Sequence, residues 1–152
     1  MMLPSRKGRF LINILIADDH AIVREGLKQI LSATSDMAVI AEASDGNEVV
    51  DKLSNDEINF VILDINMPGK SGLDVLRVIK HQRPGLPVLI LSMYPEDQYA
   101  QRVLKAGASG YLTKEGAPEE LIDVIRSISL GKKFLGYSLE EESSNSESEM
   151  GE

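Results

Sequence analysis

The chain has 152 residues, which is the length of one globular domain with room for a buried core. Apolar residues make up 43% and charged residues 26%, and cysteine is absent. These figures exclude a wholly disordered, collagen-like or membrane-spanning chain, a disulfide scaffold and a cysteine nucleophile. The formal net charge of −8 does not suggest nucleic-acid binding, which normally needs a basic face. The lack of cysteine fits a reducing compartment, and we expect a cytoplasmic location.

Strand and helix patterns alternate along the chain. In chain order, short apolar runs predict strands over Ile12–Ala17, Met37–Ala43, Phe60–Leu63, Val88–Leu91 and Gly110–Leu112. Apolar residues at helical spacing predict helices over Ile22–Leu31, Asn47–Leu53, Leu73–Lys80, Glu96–Lys105 and Pro118–Leu130. Strands that are apolar on both faces belong in a parallel sheet covered by helices on both sides. We therefore predict an α/β fold, a doubly wound five-stranded parallel sheet with five helices.

The two ends of the chain differ from the middle. Residues 1–10 form a short arm with a small basic cluster, and residues 136–152 are rich in serine and glutamate. A segment this rich in serine and glutamate cannot pack a core, so we interpret residues 136–152 as a disordered acidic tail or the start of a linker. The folded domain then spans residues 11–135.

Polar residues lie just after four of the predicted strands. Asp18 and Asp19 follow the first strand, Asp64 the third, Ser92 the fourth, and Lys114 comes two residues after the fifth. Right-handed crossovers bring the carboxyl ends of parallel strands to one edge, where ligands bind. We expect these residues to converge on one cleft.

Three carboxylates in one cleft repel each other unless a cation binds or one of them is protonated. An all-oxygen ligand set favours a hard ion, Mg²⁺ before Zn²⁺. Mg²⁺ commonly binds carboxylates together with phosphate oxygens, and a carboxylate can itself act as a nucleophile toward phosphorus. The residues therefore point to phosphoryl chemistry on an aspartate.

The motifs ILIADD, FVILDINMPGKSGLDVL, VLILS and AGASGYLTKE resemble the receiver domain of two-component response regulators. The segments LSMYPED and GASGYLTKE, and the histidine after ILIADD, are most similar to the NarL/FixJ (LuxR-type) subfamily. The resemblance covers roughly residues 12–134. It implies a flavodoxin-like receiver fold with strand order 2-1-3-4-5.

The resemblance also implies roles for individual residues. Asp64 would be the phosphoacceptor, and Lys114 would pair with the phosphoryl group. Asp18 and Asp19 would hold Mg²⁺, or Mn²⁺ as a substitute, together with Asp64 and the backbone carbonyl of Asn66.

A conformational switch is implied as well. Ser92 would hydrogen-bond the phosphoryl group, and Tyr111 would turn inward after phosphorylation. Two positions depart from the common receiver pattern: Met93 follows the site serine, and Glu115 stands where many receivers have a proline.

The expected partner is a sensor histidine kinase. The resemblance also implies a homodimer through helix 4, strand 5 and helix 5, or through helix 1 and helix 5. We expect the output to be transcription control through a DNA-binding domain beyond this chain, with no DNA and no membrane bound by residues 1–152 alone.

Other functions fit less well. A magnesium-dependent phosphohydrolase would need a second aspartate at the position of Asn66, and a nucleotide- or flavin-binding domain would not place Asp18 and Asp19 after its first strand. A scaffold without phosphorylation would not need the full set of site residues. His20 is expected to be a partly exposed loop residue rather than a catalytic base. We predict that the chain turns over no metabolite and catalyses only its own phosphorylation and dephosphorylation.

Overall fold

A computed structural model describes residues 11–92, 97–114 and 117–132. Strands and helices alternate throughout these ranges. The strands are β1 (Ile12–Ala17), β2 (Met37–Ala43), β3 (Phe60–Asp64), β4 (Val88–Ser92) and β5 (Gly110–Thr113). The helices are α1 (Ala21–Ser32), α2 (Gly46–Lys52), α3 (Gly72–Gln82), α4 (Asp97–Lys105) and α5 (Ala117–Ser129).

All strand pairs are parallel, and the strands are ordered β2-β1-β3-β4-β5. The predicted fold class and strand order are thereby confirmed. The order changes direction between β1 and β3, and a crevice opens at such a switch point outside the carboxyl ends of the strands. This is the edge at which the candidate residues were expected to meet.

Helices cover the sheet on both faces. One apolar cluster joins side chains of α1 and α5 to the sheet, and a second joins α2, α3 and α4 to its other face. Every residue of β3 and β4 is buried, as expected for central strands of a covered parallel sheet. The centre of the sheet is therefore a rigid support for whatever its ends carry.

The structure extends the predicted strands and shows one irregularity. The strands β3, β4 and β5 each run one residue further than predicted, so Asp64 and Ser92 are themselves strand residues. In the edge strand β2, the register against β1 shifts by one residue after Val39, which leaves Ile40 as an extra residue, 37% exposed.

Both predicted termini, 1–10 and 136–152, lie outside the described residues.

None of the described helices is both long and apolar enough to span a membrane.

The loop after β3 packs against the first residue of α3. A Cβ atom placed on Gly72 would lie 2.5 Å from the carbonyl oxygen of Ile65 and 2.7 Å from its Cα. Both atoms belong to the backbone one residue after Asp64, so they cannot move aside without displacing the strand end. Glycine at this position therefore lets α3 approach the loop that follows the candidate nucleophile.

We expect Gly72→Ala to lower the free energy of unfolding by about 1–3 kcal/mol, because the added methyl group overpacks a backbone contact. The matched control is Gly26→Ala in α1, where an added Cβ would meet nothing within 4 Å. That substitution should raise stability by about 0.4–1 kcal/mol, since alanine restricts the unfolded chain. Urea denaturation of both variants tests the pair, and equal effects would contradict the proposed contact.

Candidate functional site

The loop between β1 and α1 is fixed by backbone hydrogen bonds. The Asp18 amide donates to the carbonyl of Ala43 at 3.0 Å, and the Asp18 carbonyl accepts from Nη1 of Arg24 at 2.6 Å. Nε of Arg24 in turn donates to Oε1 of Glu42 at 2.8 Å. The position of the Asp18 backbone is thus tied both to the neighbouring strand β2 and to helix α1.

Two buried carboxylates face one ammonium group across the end of the sheet. The side chains of Asp18 and Asp64 are each 1% exposed, and that of Lys114 is 15% exposed. Nζ of Lys114 lies 3.1 Å from Oδ2 of Asp18 and 3.3 Å from Oδ2 of Asp64. The other oxygen of Asp64, Oδ1, accepts a hydrogen bond of 3.0 Å from the Asn66 amide. The structure therefore brings together residues that are 46 and 50 positions apart in the sequence.

Burial and charge oppose each other at these groups. Burial raises the pKa of Asp64, and the nearby Asp18 carboxylate raises it further, against the effects of the Asn66 amide and Lys114. Burial by itself would lower the pKa of Lys114, but its contacts with Asp18 and Asp64 outweigh burial and the pKa is raised. The ammonium thus stays charged, while ionisation of Asp64 is disfavoured in the folded protein.

The acidic cluster has the features of a divalent cation site. Asp18, Asp19, His20 and Asp64 each offer a ligand atom, and these atoms all lie within 4.8 Å of one another. Within the described ranges, Oδ2 of Asp18 and Oδ2 of Asp64 share the single Lys114 ammonium, and the partner of Oδ1 of Asp19 is the His20 ring at 3.3 Å. Because one ammonium shared by two buried carboxylates leaves negative charge uncompensated, the residues present fit a bound cation. Carboxylate oxygens are also the ligands that Mg²⁺ prefers.

The predicted switch residues lie in β4 and β5, the two strands beyond Asp64. Ser92, at the end of β4, is fully buried and its carbonyl accepts a hydrogen bond of 2.7 Å from the Lys114 amide. Tyr111 in β5 is 1% exposed and belongs to the apolar cluster on the α4 side of the sheet. The Tyr111 side chain thus already has the inward orientation that was predicted for the phosphorylated form. Met93 and Glu115, the two departures from the receiver pattern, lie outside the described residues.

Two features of the site were not predicted from the sequence. Arg24 reaches the Asp18 carbonyl from α1, and no motif around a single helical arginine indicates such a contact. His20 is exposed, as expected, but its Nδ1 lies 3.3 Å from Oδ1 of Asp18 and 3.3 Å from Oδ1 of Asp19. The position of His20 directly after two acidic residues was the signal available in the sequence. Its ring nitrogen adds a nitrogen donor to a cluster that was predicted to contain only oxygen donors.

Comparisons with known proteins agree with one another. The model of the response regulator receiver domain family matches residues 14–126. The response regulator UvrY of Escherichia coli K12 is 34% identical over 125 residues, which are 82% of this chain and 57% of that protein. The oxygen regulatory protein NreC of Staphylococcus epidermidis is 40% identical over 129 residues, 84% of this chain and 59% of that protein. The chain thus spans somewhat more than half the length of these relatives.

A solved structure agrees as well. The crystal structure of a two-component response regulator of the LuxR family from Aurantimonas superposes with a TM-score of 0.81 at 31% identity. The match covers 89% of this chain and 96% of the other.

The raised pKa of Asp64 predicts how stability depends on pH in EDTA. A carboxyl whose pKa is raised by folding stabilises the protein fully below its unfolded pKa, about 4, and loses that contribution as pH rises through the folded pKa. Asp64→Asn should therefore stabilise the protein relative to wild type by an amount that grows as pH rises above about 4. Urea denaturation from pH 4 to 7 measures this difference.

Asp36→Asn provides a control of opposite sign. Hydrogen bonds of 3.0 Å from Arg126 to both oxygens of Asp36 lower the pKa of that carboxyl. Its stabilising contribution is present above the unfolded pKa and is lost as pH falls through the folded one. Asp36→Asn should thus destabilise increasingly as pH rises, and a gain from Asp64→Asn that did not change with pH would contradict the assignment.

Proposed function

This chain belongs to the response regulator receiver domain family, and from that premise we propose that Asp64 accepts a phosphoryl group from a sensor histidine kinase in a Mg²⁺-dependent reaction. The observation that carries the proposal is the buried carboxylate of Asp64, 3.3 Å from Lys114 and within 4.8 Å of carboxylate oxygens of Asp18 and Asp19. Family membership itself makes the chain a signalling domain. We propose that it acts in the cytoplasm and turns over no metabolite.

The proposed chemistry follows from the arrangement of charges. A carboxylate oxygen of Asp64 attacks phosphorus, an O–P bond forms, and the P–N bond of the donor phosphohistidine breaks, with the electron pair going to the imidazole nitrogen. Lys114 is placed to offset negative charge on the transferring oxygens. Asp18 and Asp19, with Asp64 and the Asn66 carbonyl, would hold Mg²⁺. When bound, Mg²⁺ supplies positive charge to the phosphoryl oxygens and offsets the repulsion between the carboxylates.

Ser92 is the proposed sensor of the phosphoryl group. Its hydroxyl sits at the end of β4 and its backbone is hydrogen-bonded to Lys114, so a phosphoryl group on Asp64 would offer it a charge-assisted hydrogen bond. Movement of Ser92 would alter the packing of Tyr111 in the adjacent strand. Because Tyr111 is already buried, we propose that phosphorylation stabilises an orientation the unphosphorylated chain already populates.

We propose that the phosphorylation state is read out on the surface formed by α4, β5 and α5. A homodimer would form through this surface or through a second one, formed by α1 and α5. UvrY and NreC extend well beyond the length that this chain covers. We propose that the response controls transcription through a DNA-binding domain outside residues 1–152, and that these residues bind no DNA by themselves.

The rim of the site indicates where a kinase would dock. Ile22 lies in the first turn of α1, two residues after His20, and is 85% exposed. A donor phosphohistidine reaches Asp64 only if the surface around it covers this rim. We therefore propose that an apolar patch of the kinase contacts Ile22, which raises the rate of transfer by positioning the donor.

The central test is acyl-phosphate formation. Incubation with acetyl phosphate and Mg²⁺ should add one phosphoryl group to the intact mass, and hydroxylamine should remove it. Asp64→Asn and addition of EDTA should each abolish labelling. Asp74→Asn, which alters an exposed aspartate on α3, is the matched control and should label normally. Full labelling of Asp64→Asn would refute the assignment.

A second test separates docking from chemistry. Ile22→Asp should slow transfer from a kinase, chosen by phosphotransfer profiling, at least tenfold, but leave labelling by acetyl phosphate unchanged, because a small donor needs no docking surface. Leu130→Asp is the control, since Leu130 is similarly exposed (79%) but follows α5. Equal slowing by both variants, or reduced labelling by acetyl phosphate in Ile22→Asp, would contradict a contact at Ile22.

A further inference from the structure

A nitrogen donor faces the three carboxylates of the site. Nδ1 of His20 lies 3.3 Å from Oδ1 of Asp18 and 3.3 Å from Oδ1 of Asp19. The His20 amide also donates to Oδ1 of Asp18 at 2.8 Å, which holds the His20 backbone beside the acids. The imidazole presents Nδ1 as a donor atom at the exposed mouth of the cluster, while Asp18 and Asp64 close its buried side.

We propose that His20 makes this site a mixed nitrogen and oxygen site that binds late first-row transition cations, such as Ni²⁺, Co²⁺ or Zn²⁺, in competition with Mg²⁺. The inference rests on the proposed metal site and adds a ligand to it. Imidazole is a good ligand for these ions, whereas Mg²⁺ binds oxygen ligands and retains water. His20 would thus strengthen binding of one class of cation without strengthening binding of the other.

The spacing of the donor atoms fits one ion. Adjacent ligands that each lie about 2.1 Å from a metal are roughly 3 Å apart, and opposite ligands about 4.2 Å apart. The separations of 3.3 Å around Nδ1 and the limit of 4.8 Å for the whole set exceed these values only slightly. A cation would therefore need only a small closure of the side chains.

The charge of the site points to a cation independently of the spacing. Asp18 and Asp64 are nearly fully buried, and the Oδ2 atoms of both face the same Lys114 ammonium. Three carboxylates and one ammonium leave a formal charge of 3 − 1 = 2 negative units. A divalent ion would neutralise this charge, and neutral His20, with its proton on Nε2, would bind it through Nδ1.

The test is isothermal titration calorimetry of the untagged full chain with NiCl₂ and, separately, with MgCl₂. Wild type should bind Ni²⁺ at least tenfold more tightly than Mg²⁺. His20→Asn should weaken Ni²⁺ binding about tenfold and change Mg²⁺ binding less than twofold. The second histidine of the chain offers a matched control: His81→Asn, an exposed position on α3, should alter neither affinity. Addition of Zn²⁺ should shift the Nδ1 resonance of His20 in imidazole ¹⁵N NMR spectra and leave His81 unchanged.

The remaining outcomes each overturn a definite statement. Unchanged Ni²⁺ affinity in His20→Asn, with Mg²⁺-dependent labelling of Asp64 intact, refutes the inference and leaves the proposed function standing. Equal weakening of both cations would make His20 a structural support instead of a selective ligand. If His20→Asn bound both cations more tightly than wild type, the imidazole would repel metal ions as a positive charge, and it would not be a ligand. If wild type binds neither cation, the metal site of the proposed function fails as well.

Discussion

The repulsion between two buried carboxylates is the constraint around which this molecule is arranged. Asp18 directly follows β1 and Asp64 ends the neighbouring strand β3, so the parallel pairing of these strands brings the two side chains together despite their like charges. The ammonium of Lys114 lies within 3.3 Å of both and offsets part of the repulsion. Burial is the main reason that the pKa of Asp64 is raised, and the Asp18 carboxylate raises it further, against the opposing effects of the Asn66 amide and Lys114.

The surrounding structure holds these charges in place instead of letting them separate. Asp64 is itself a ladder residue, paired with Leu91 of β4. The Lys114 amide is hydrogen-bonded to the Ser92 carbonyl, so the end of β5 is tied to the end of β4. Arg24 holds the Asp18 carbonyl from α1. The first two links are backbone contacts within the covered sheet, and the third is a side-chain hydrogen bond to the backbone of Asp18.

An unfavourable charge arrangement that is rigidly held is useful in a signalling domain. Under the proposed function, a bound cation would offset the negative charge that Lys114 leaves uncompensated. Charge that opposes folding and favours ligand binding is a trade common at functional sites. Ser92 and Tyr111 lie on the two strands beyond Asp64, so the proposed switch would connect the charges to the α4–β5–α5 surface through directly paired strands.

The sequence by itself determined the class of fold, because strand and helix periodicity are local properties and their alternation allows few topologies. Residues 18, 19, 64, 92 and 114 could be grouped at one edge from that topology alone, and their individual roles came from resemblance to a family. Only the tertiary structure decided the extra residue at Ile40, the reach of Arg24 to the Asp18 carbonyl, and the approach of the His20 imidazole to the carboxylates. These features depend on strand register and on side-chain directions at a loop, which arise when distant segments pack and leave no periodic trace in the chain.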